Sequence, residues 1–164
     1  MATKPANNAR RRYLASCALN TREWAKNPAS YIFEAVSTKD EHDFQTPVKK
    51  FPERDYLEQL LAIWHGGESV EALIKSRQLM VSWLAVAYCS WFARFHEHKL
   101  VFIQSKKEKD AAALIFDTDT TQGRLSFIET HLPEYLRQDI KWAYGKAIYP
   151  NGSRVEAIPQ GPTH

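Results

Sequence analysis

The longest apolar stretch of the chain, LMVSWLAVAYCSWFA at residues 79 to 93, is apolar on nearly every helical face. It is rich in Ala and Leu, so the pattern predicts a buried helix over 82–97. At 1.5 Å per residue the run reaches about 22 Å, short of the roughly 30 Å needed to cross a bilayer, so a core helix is predicted over a membrane span. SVEALIKS before it and KLVFIQS after it have strand character, and strand, helix, strand at this spacing predicts a βαβ unit.

Upstream, Tyr31, Ile32, Phe33 and Val36 predict a short helix, and Pro47 and Pro52 punctuate an extended connection. A second helix follows with Tyr56, Leu60, Ile63 and Trp64 as its apolar face, ended by Gly66 and Gly67. Downstream, Leu114, Thr118, Thr121, Leu125, Ile128 and Leu132 advance by helical steps, with a break at TDTTQG as the competing prediction because Gly123 is poor inside a helix. Pro133 allows a fresh turn. Two strand-like runs around Asn151-Gly152 predict a β-hairpin. Asn-Gly-Ser is also a glycosylation sequon, but without an export signal the turn is the reading adopted.

Composition adds little beyond a soluble globular class. The chain has 164 residues, a net charge of +3 and two cysteines, which predicts a reducing compartment and permits an anionic partner. Residues 1–26 are polar and basic, with Arg10, Arg11 and Arg12 adjacent and few apolar anchors. A flexible arm is predicted there, with a phosphate-binding arm as the alternative.

The junction ALIKSRQLMVSW carries the chemistry. A phosphate-binding loop needs a strand, a turn whose amides converge, a helix N-terminus, a cation and a hydroxyl for Mg²⁺. Lys75 and Arg77 are available cations, and Ser82 is the hydroxyl at the helix start. GxxxxGK[ST] is not matched, since Met80 and Val81 stand where glycine and lysine belong. A polar turn capping a core helix is therefore the alternative.

KSRQLMVSW resembles the deviant Walker A loop of phage terminase large subunits, in part of which the signature lysine sits at the start of the loop, where Lys75 stands. NPASYIFEAV with TPVKKFPERDYLEQLL, KLVFIQSKKEKDAA, HLPEYLR and NGSRVEAIPQGP resemble neighbouring segments of that ATPase in order, over roughly residues 27–164. The resemblance implies an α/β fold with a P-loop NTPase-type parallel sheet flanked by helices, incomplete at the C-terminus, with an N-terminal helical segment and a hairpin near the C-terminal end. Residues 27–70 become the helical segment with the adenine side, and 71–164 a partial ATPase core cut before Walker B.

Carried over, Lys75 neutralises phosphate and Arg77 is the catalytic cation near the γ-phosphate. Ser76, Arg77, Gln78, Leu79, Met80 and Val81 form the cradle, Ser82 holds Mg²⁺ and Trp83 follows the loop. Phe51, Pro52, Arg54 and Tyr56 form the adenine side, with Arg54 where the family usually has glutamine. The implied cofactors are ATP and Mg²⁺. The implied function is ATP-driven packaging of double-stranded DNA into a procapsid in the host cytoplasm, with a portal, a small terminase subunit and a homo-oligomeric ring as partners. The family's endonuclease domain is absent, and this segment alone is expected to hydrolyse little ATP. A non-catalytic DNA-packaging or DNA-binding module and a helicase-type ATPase are the alternatives.

Other constellations are weak. His96 and His98 in HEH do not share a helix face and have no third ligand nearby in sequence. Lys106, Lys107 and Lys109 are read as a polar helix start, with DNA contact as the alternative, and Trp83, Trp91 and Phe92 as core. Asp117 and Asp119 receive no catalytic role, and Arg124 and Arg154 are the available intersubunit fingers.

Overall fold

The computed structural model describes residues 4–40, 42–67, 72–76 and 79–159. The fold is α/β. In chain order the elements are α1 (Lys4–Lys26), α2 (Pro28–Ala35), β1 (Ser37–Lys39), β2 (Val48–Lys50), α3 (Asp55–Gly66), α4 (Val81–Phe95), β3 (Leu100–Ser105), α5 (Glu108–Ile115), α6 (Arg124–His131), a 3-10 turn (Glu134–Leu136), β4 (Lys141–Ala143), β5 (Lys146–Ile148) and β6 (Arg154–Pro159). β1 and β2 form an antiparallel pair. The main sheet runs β3-β6-β5-β4, with β3 and β6 parallel and the other pairs antiparallel.

Residues 4–26 form helix α1 where a flexible arm over 1–26 is predicted. Cys17 and Trp24 are buried seven residues apart on one face of α1, and that spacing brings two apolar anchors into register after two turns. The Trp24 indole donates to Glu34 at 2.9 Å, and its carbonyl accepts from the Trp91 indole at 2.7 Å. Asn27 then caps α2, accepting from the Ala29 amide at 2.9 Å, and Pro28 occupies the first turn.

Helix α3 ends at Gly67, which takes the left-handed conformation at φ 89° as a glycine C-cap does. Its buried face is Leu57, Leu60 and Leu61, while Tyr56 and Ile63 are exposed. The face is rotated by one residue from the predicted one. Leu57, Leu60, Leu61 and Trp64 follow the i, i+3, i+4, i+7 pattern more closely than the set containing Tyr56.

The predicted strand before α4 is not formed among the described residues: 72–76 are irregular, with Leu73 half exposed and Ile74 fully so. No described strand pairs with them, and an apolar strand without a ladder has no means of satisfying its backbone. The parallel pair is therefore β3 with β6, from Leu100↔Arg154 to Ser105↔Pro159. β3 is an edge strand, and Leu100 and Phe102 on its outer face are about half exposed.

The break at TDTTQG is observed. Asp117 and Gln122 form an isolated antiparallel bridge, and α6 begins only after Gly123. A Cβ on Gly123 would stand 2.3 Å from the Ile115 carbonyl oxygen, so glycine lets α6 start against the end of α5. The hairpin around Asn151-Gly152 forms as predicted, with Ala147 opposite Val155.

Helix α4 is the central element, and a buried polar network locks it. Glu129 of α6 pairs with Arg94 and accepts from Ser90 at 2.7 Å and from Tyr149 at 2.7 Å. Arg94 also donates to the Leu136 carbonyl. Because the single Ser90 hydroxyl proton goes to Glu129, Tyr31 donates to Ser90 across 2.9 Å. Burial, then the charge of Glu129, raises both tyrosines above their ordinary value. The consequence for stability has a definite sign. Below about pH 10 both states hold these protons; above it the unfolded chain releases them first, so stability falls by about 1.4 kcal/mol per pH unit for each tyrosine. Urea unfolding between pH 9 and 11.5 should show this slope, and Tyr149→Phe should reduce it; an unchanged slope would mean that Tyr149 titrates normally.

Candidate anion-binding site

The N-terminus of α4 opens into a cleft of about 560 Å³. The helix begins abruptly because Met80, its N-cap, sits in the left-handed region at φ 55° and ψ 2°. A non-glycine residue there costs about 1 kcal/mol or more. The backbone takes the glycine-like conformation although the side chain is methionine. No side chain caps the helix, and the first helical bond runs from the Leu84 amide to the Met80 carbonyl at 2.9 Å. The preceding amides of the first turn have no partner within the helix, so that end carries partial positive charge.

The opposite wall comes from the β1–β2 pair and from Arg124. Lys39, Lys49, Lys50, Lys75 and Arg124 line the cleft, against Asp40 as its one carboxylate among the described residues. Lys49 is already neutralised by Asp43 at 2.6 Å, and that contact, with bonds from Thr46, holds the Asp43 carboxyl below the usual carboxylate range. Lys39, Lys50, Lys75 and Arg124 form no ion pair among the described residues. The Lys75 ammonium reaches only the carbonyl of Ser76, at 3.3 Å. The Arg124 guanidinium lies over the Trp83 ring, 5.5 Å from its centre. Unpaired cations around a concave surface concentrate field lines in it, and an anion is the ligand such a surface selects.

The residues named from the loop separate into three groups. Lys75, Leu79, Met80, Val81, Ser82 and Trp83 line the cleft, with Ser82 exposed. Ser76 is exposed beside them but is not part of its wall. Arg77 and Gln78 lie outside the described residues. Of the adenine-side set, Pro52 lines the cleft. Phe51 is 3 % exposed and packs edge-on against Phe33, which withdraws its ring from any base. Arg54 precedes α3 outside the cleft wall, and the Tyr56 hydroxyl donates to the Leu79 carbonyl at 3.4 Å. Tyr56 thus braces the loop from behind.

Lys39, Lys50 and Arg124 are site residues that the sequence did not single out as partners of Lys75. No spacing rule could link them, because the turn between β1 and β2 and the Gly123 contact are what fold them onto α4. Arg124, named in the sequence as an available intersubunit finger, lines the cleft of its own chain. Arg154 lies on β6, 3.7 Å from Glu156, away from the cleft wall.

Among the described residues no group of three His, Cys, Asp or Glu side chains could hold a metal. His96 stacks on Phe92 at 4.7 Å and its Nδ1 faces the Phe92 carbonyl, a structural placement. Burial pushes the Cys89 thiol up to about 12, so it is no nucleophile at neutral pH. No described helix is long and apolar enough to cross a membrane. Comparison with protein-family models and with curated proteins finds no match for the chain.

Proposed function

We propose that the chain binds the phosphates of ATP at the N-terminus of α4, as the phosphate-binding part of a terminase-type P-loop ATPase. The observation that carries this reading is the left-handed Met80 immediately before an uncapped helix, in a cleft lined by four cations that form no ion pair among the described residues. Lys75 and Lys39 neutralise phosphate oxygens, the first-turn amides of α4 donate to them, and Ser82 offers its hydroxyl to a nucleotide-borne Mg²⁺. Met80 does not prevent this, because its backbone already has the geometry that glycine would supply.

Binding without efficient turnover follows from the same wall. Phosphoryl transfer needs a group that orients water and carboxylates that hold the metal, and Asp40 is the cleft's single carboxylate among the described residues. In a terminase the complete motor would couple hydrolysis to movement of double-stranded DNA into a procapsid, with portal, small subunit and ring partners.

Titration calorimetry with Mg-ATP and with magnesium tripolyphosphate tests the reading. Saturable binding is expected, and Lys75→Ala should weaken it by about 10- to 100-fold, the value of a charge-assisted hydrogen bond. No binding of either ligand at millimolar concentration would end the proposal.

A DNA-binding module without nucleotide is the second reading, and α1 favours it. That helix carries Arg10, Arg11, Arg12, Arg22 and Lys26 against Glu23. If duplex DNA binds with a steep salt dependence while ATP does not bind, this reading replaces the first.

A further inference from the structure

Arg124 and Trp83 line both the cleft at the start of α4 and a second cleft of about 420 Å³ beside it. We infer that Arg124 grips a phosphate of the ligand through its guanidinium, and that Trp83 is the residue that positions it. This assignment rests on the phosphate reading above, and adds to it a contact carried by α6 and the ring on α4 that holds that contact in place.

Both residues stand on helix starts whose backbone is fixed. Trp83 is the third residue of α4, and Arg124 is the first of α6. Gly123 lies too close to the Ile115 carbonyl to carry a side chain, and its amide donates to the Ser126 hydroxyl at 2.8 Å, so the first turn of α6 has one available placement. The indole is held as well. It meets the buried Phe127 edge-on with 5.7 Å between ring centres, and Phe127 stacks in turn on His131 at 4.0 Å. The guanidinium carbon of Arg124 lies 5.5 Å from the centre of the Trp83 ring, within the range of a cation–π contact.

Each cleft has a carboxylate in its wall, Asp40 in the first and Asp110 in the second. Arg124 pairs with neither, and its side chain forms no hydrogen bond among the described residues. A ring face attracts the cation without consuming an N–H donor, so the donors of the guanidinium stay available, and their planar fork matches two oxygens of one phosphate. A carboxylate in place of the ring would compete with the ligand for those donors. A side chain without the ring would give up its rotamer freedom on binding, which weakens the complex. Arginine resting on indole avoids both costs.

Calorimetric affinities for magnesium tripolyphosphate in the full chain and its variants test the assignment. Arg124→Ala should weaken binding by about 10- to 100-fold, as loss of a charge-assisted contact does. Arg124→Lys keeps the charge without the fork and should stay at least about fivefold weaker than the unaltered chain. Trp83→Leu should weaken binding by at least about threefold, whereas Trp83→Phe, which keeps a ring face, should stay within about twofold. In the Arg124→Ala background Trp83→Leu should change affinity by less than about twofold, because the indole has nothing left to position. Trp83→Met serves the same cycle if the leucine variant does not fold. Equal weakening by the Trp83 substitution in both backgrounds would overturn the positioning role, since a purely structural part in the helix start predicts that result. Unchanged affinity in Arg124→Ala would overturn the phosphate contact and leave the site standing on Lys75 and Lys39. Absence of tripolyphosphate binding by the unaltered chain would overturn the phosphate site, and this assignment with it.

Discussion

Glu129→Ala should lower the folding free energy by about 3–5 kcal/mol, the range for removing one partner of a buried ion pair. Glu129 receives Arg94, Ser90 and Tyr149, all buried. Burial alone would favour the neutral form of Arg94, but attraction to Glu129 outweighs it and raises its pKa. Without Glu129 a guanidinium whose Nε already lacks a partner would remain buried and uncompensated, while two hydroxyl protons lose their acceptor.

Replacing both ends gives a different result. Arg94→Met with Glu129→Leu removes the charges together, so the double variant should be more stable than Glu129→Ala. Urea unfolding measures both. A loss below about 1 kcal/mol for Glu129→Ala would show that water or a rearranged Arg94 compensates the charge. Function should respond as well, because the pair fixes α4 against α6, and the cleft is built from the first residues of those two helices. A variant that folds with the pair removed should bind anions less tightly through misplacement of Arg124 relative to Lys75.

What the sequence made legible follows from the range of each interaction. Helix α4 was readable because its apolar run is local, and so was the Asn151-Gly152 hairpin, whose turn chemistry spans four residues. The glycine stop of α3 was readable for the same reason. The strand before α4 was not, since an apolar run such as ALI becomes a strand only if another strand pairs with it, and pairing is a long-range property. Cys17 and Trp24 give no clear signal as anchors because Tyr13, Leu14 and Leu19 on the same helix are apolar yet exposed, and what buries Trp24 is its contact with Glu34, Trp91 and Tyr135 on other elements. At the candidate site, Lys75 and Leu79 to Trp83, which line the cleft, were legible because they lie close together in the sequence. Lys39, Lys50 and Arg124 were not, because their contribution depends on β1–β2 pairing and on the close approach at Gly123. Gly123 looked like a helix defect in the sequence, whereas in the structure it is the contact that positions Arg124.

The other large effect is expected at Asn151, at the opposite end of α4 from the cleft. Its side-chain amide donates to the carbonyls of Ala93 at 2.8 Å, Arg94 at 3.1 Å and His96 at 3.2 Å, and its Oδ1 accepts from the Ser153 amide at 3.0 Å. One residue thus closes the hairpin turn and caps the C-terminus of α4, where carbonyls have no helical donor. Asn151→Ala removes both functions and should cost about 2 kcal/mol. Asn151→Asp keeps the acceptor for Ser153 but points an anion at three carbonyls and the negative end of the helix, so at pH 7 it should cost about 3–4 kcal/mol. The sign with pH follows from the environment. Carbonyls facing the carboxylate raise its folded pKa above the unfolded value of about 3.9, so the aspartate variant is least penalised below that value and loses stability as pH rises through the folded pKa. The gap between the aspartate and alanine variants should therefore open between about pH 4 and pH 7 in urea unfolding. If the aspartate variant matched wild type at pH 7, the amide would not be the donor that terminates α4, and the turn would hold through Gly152 and Ser153 alone.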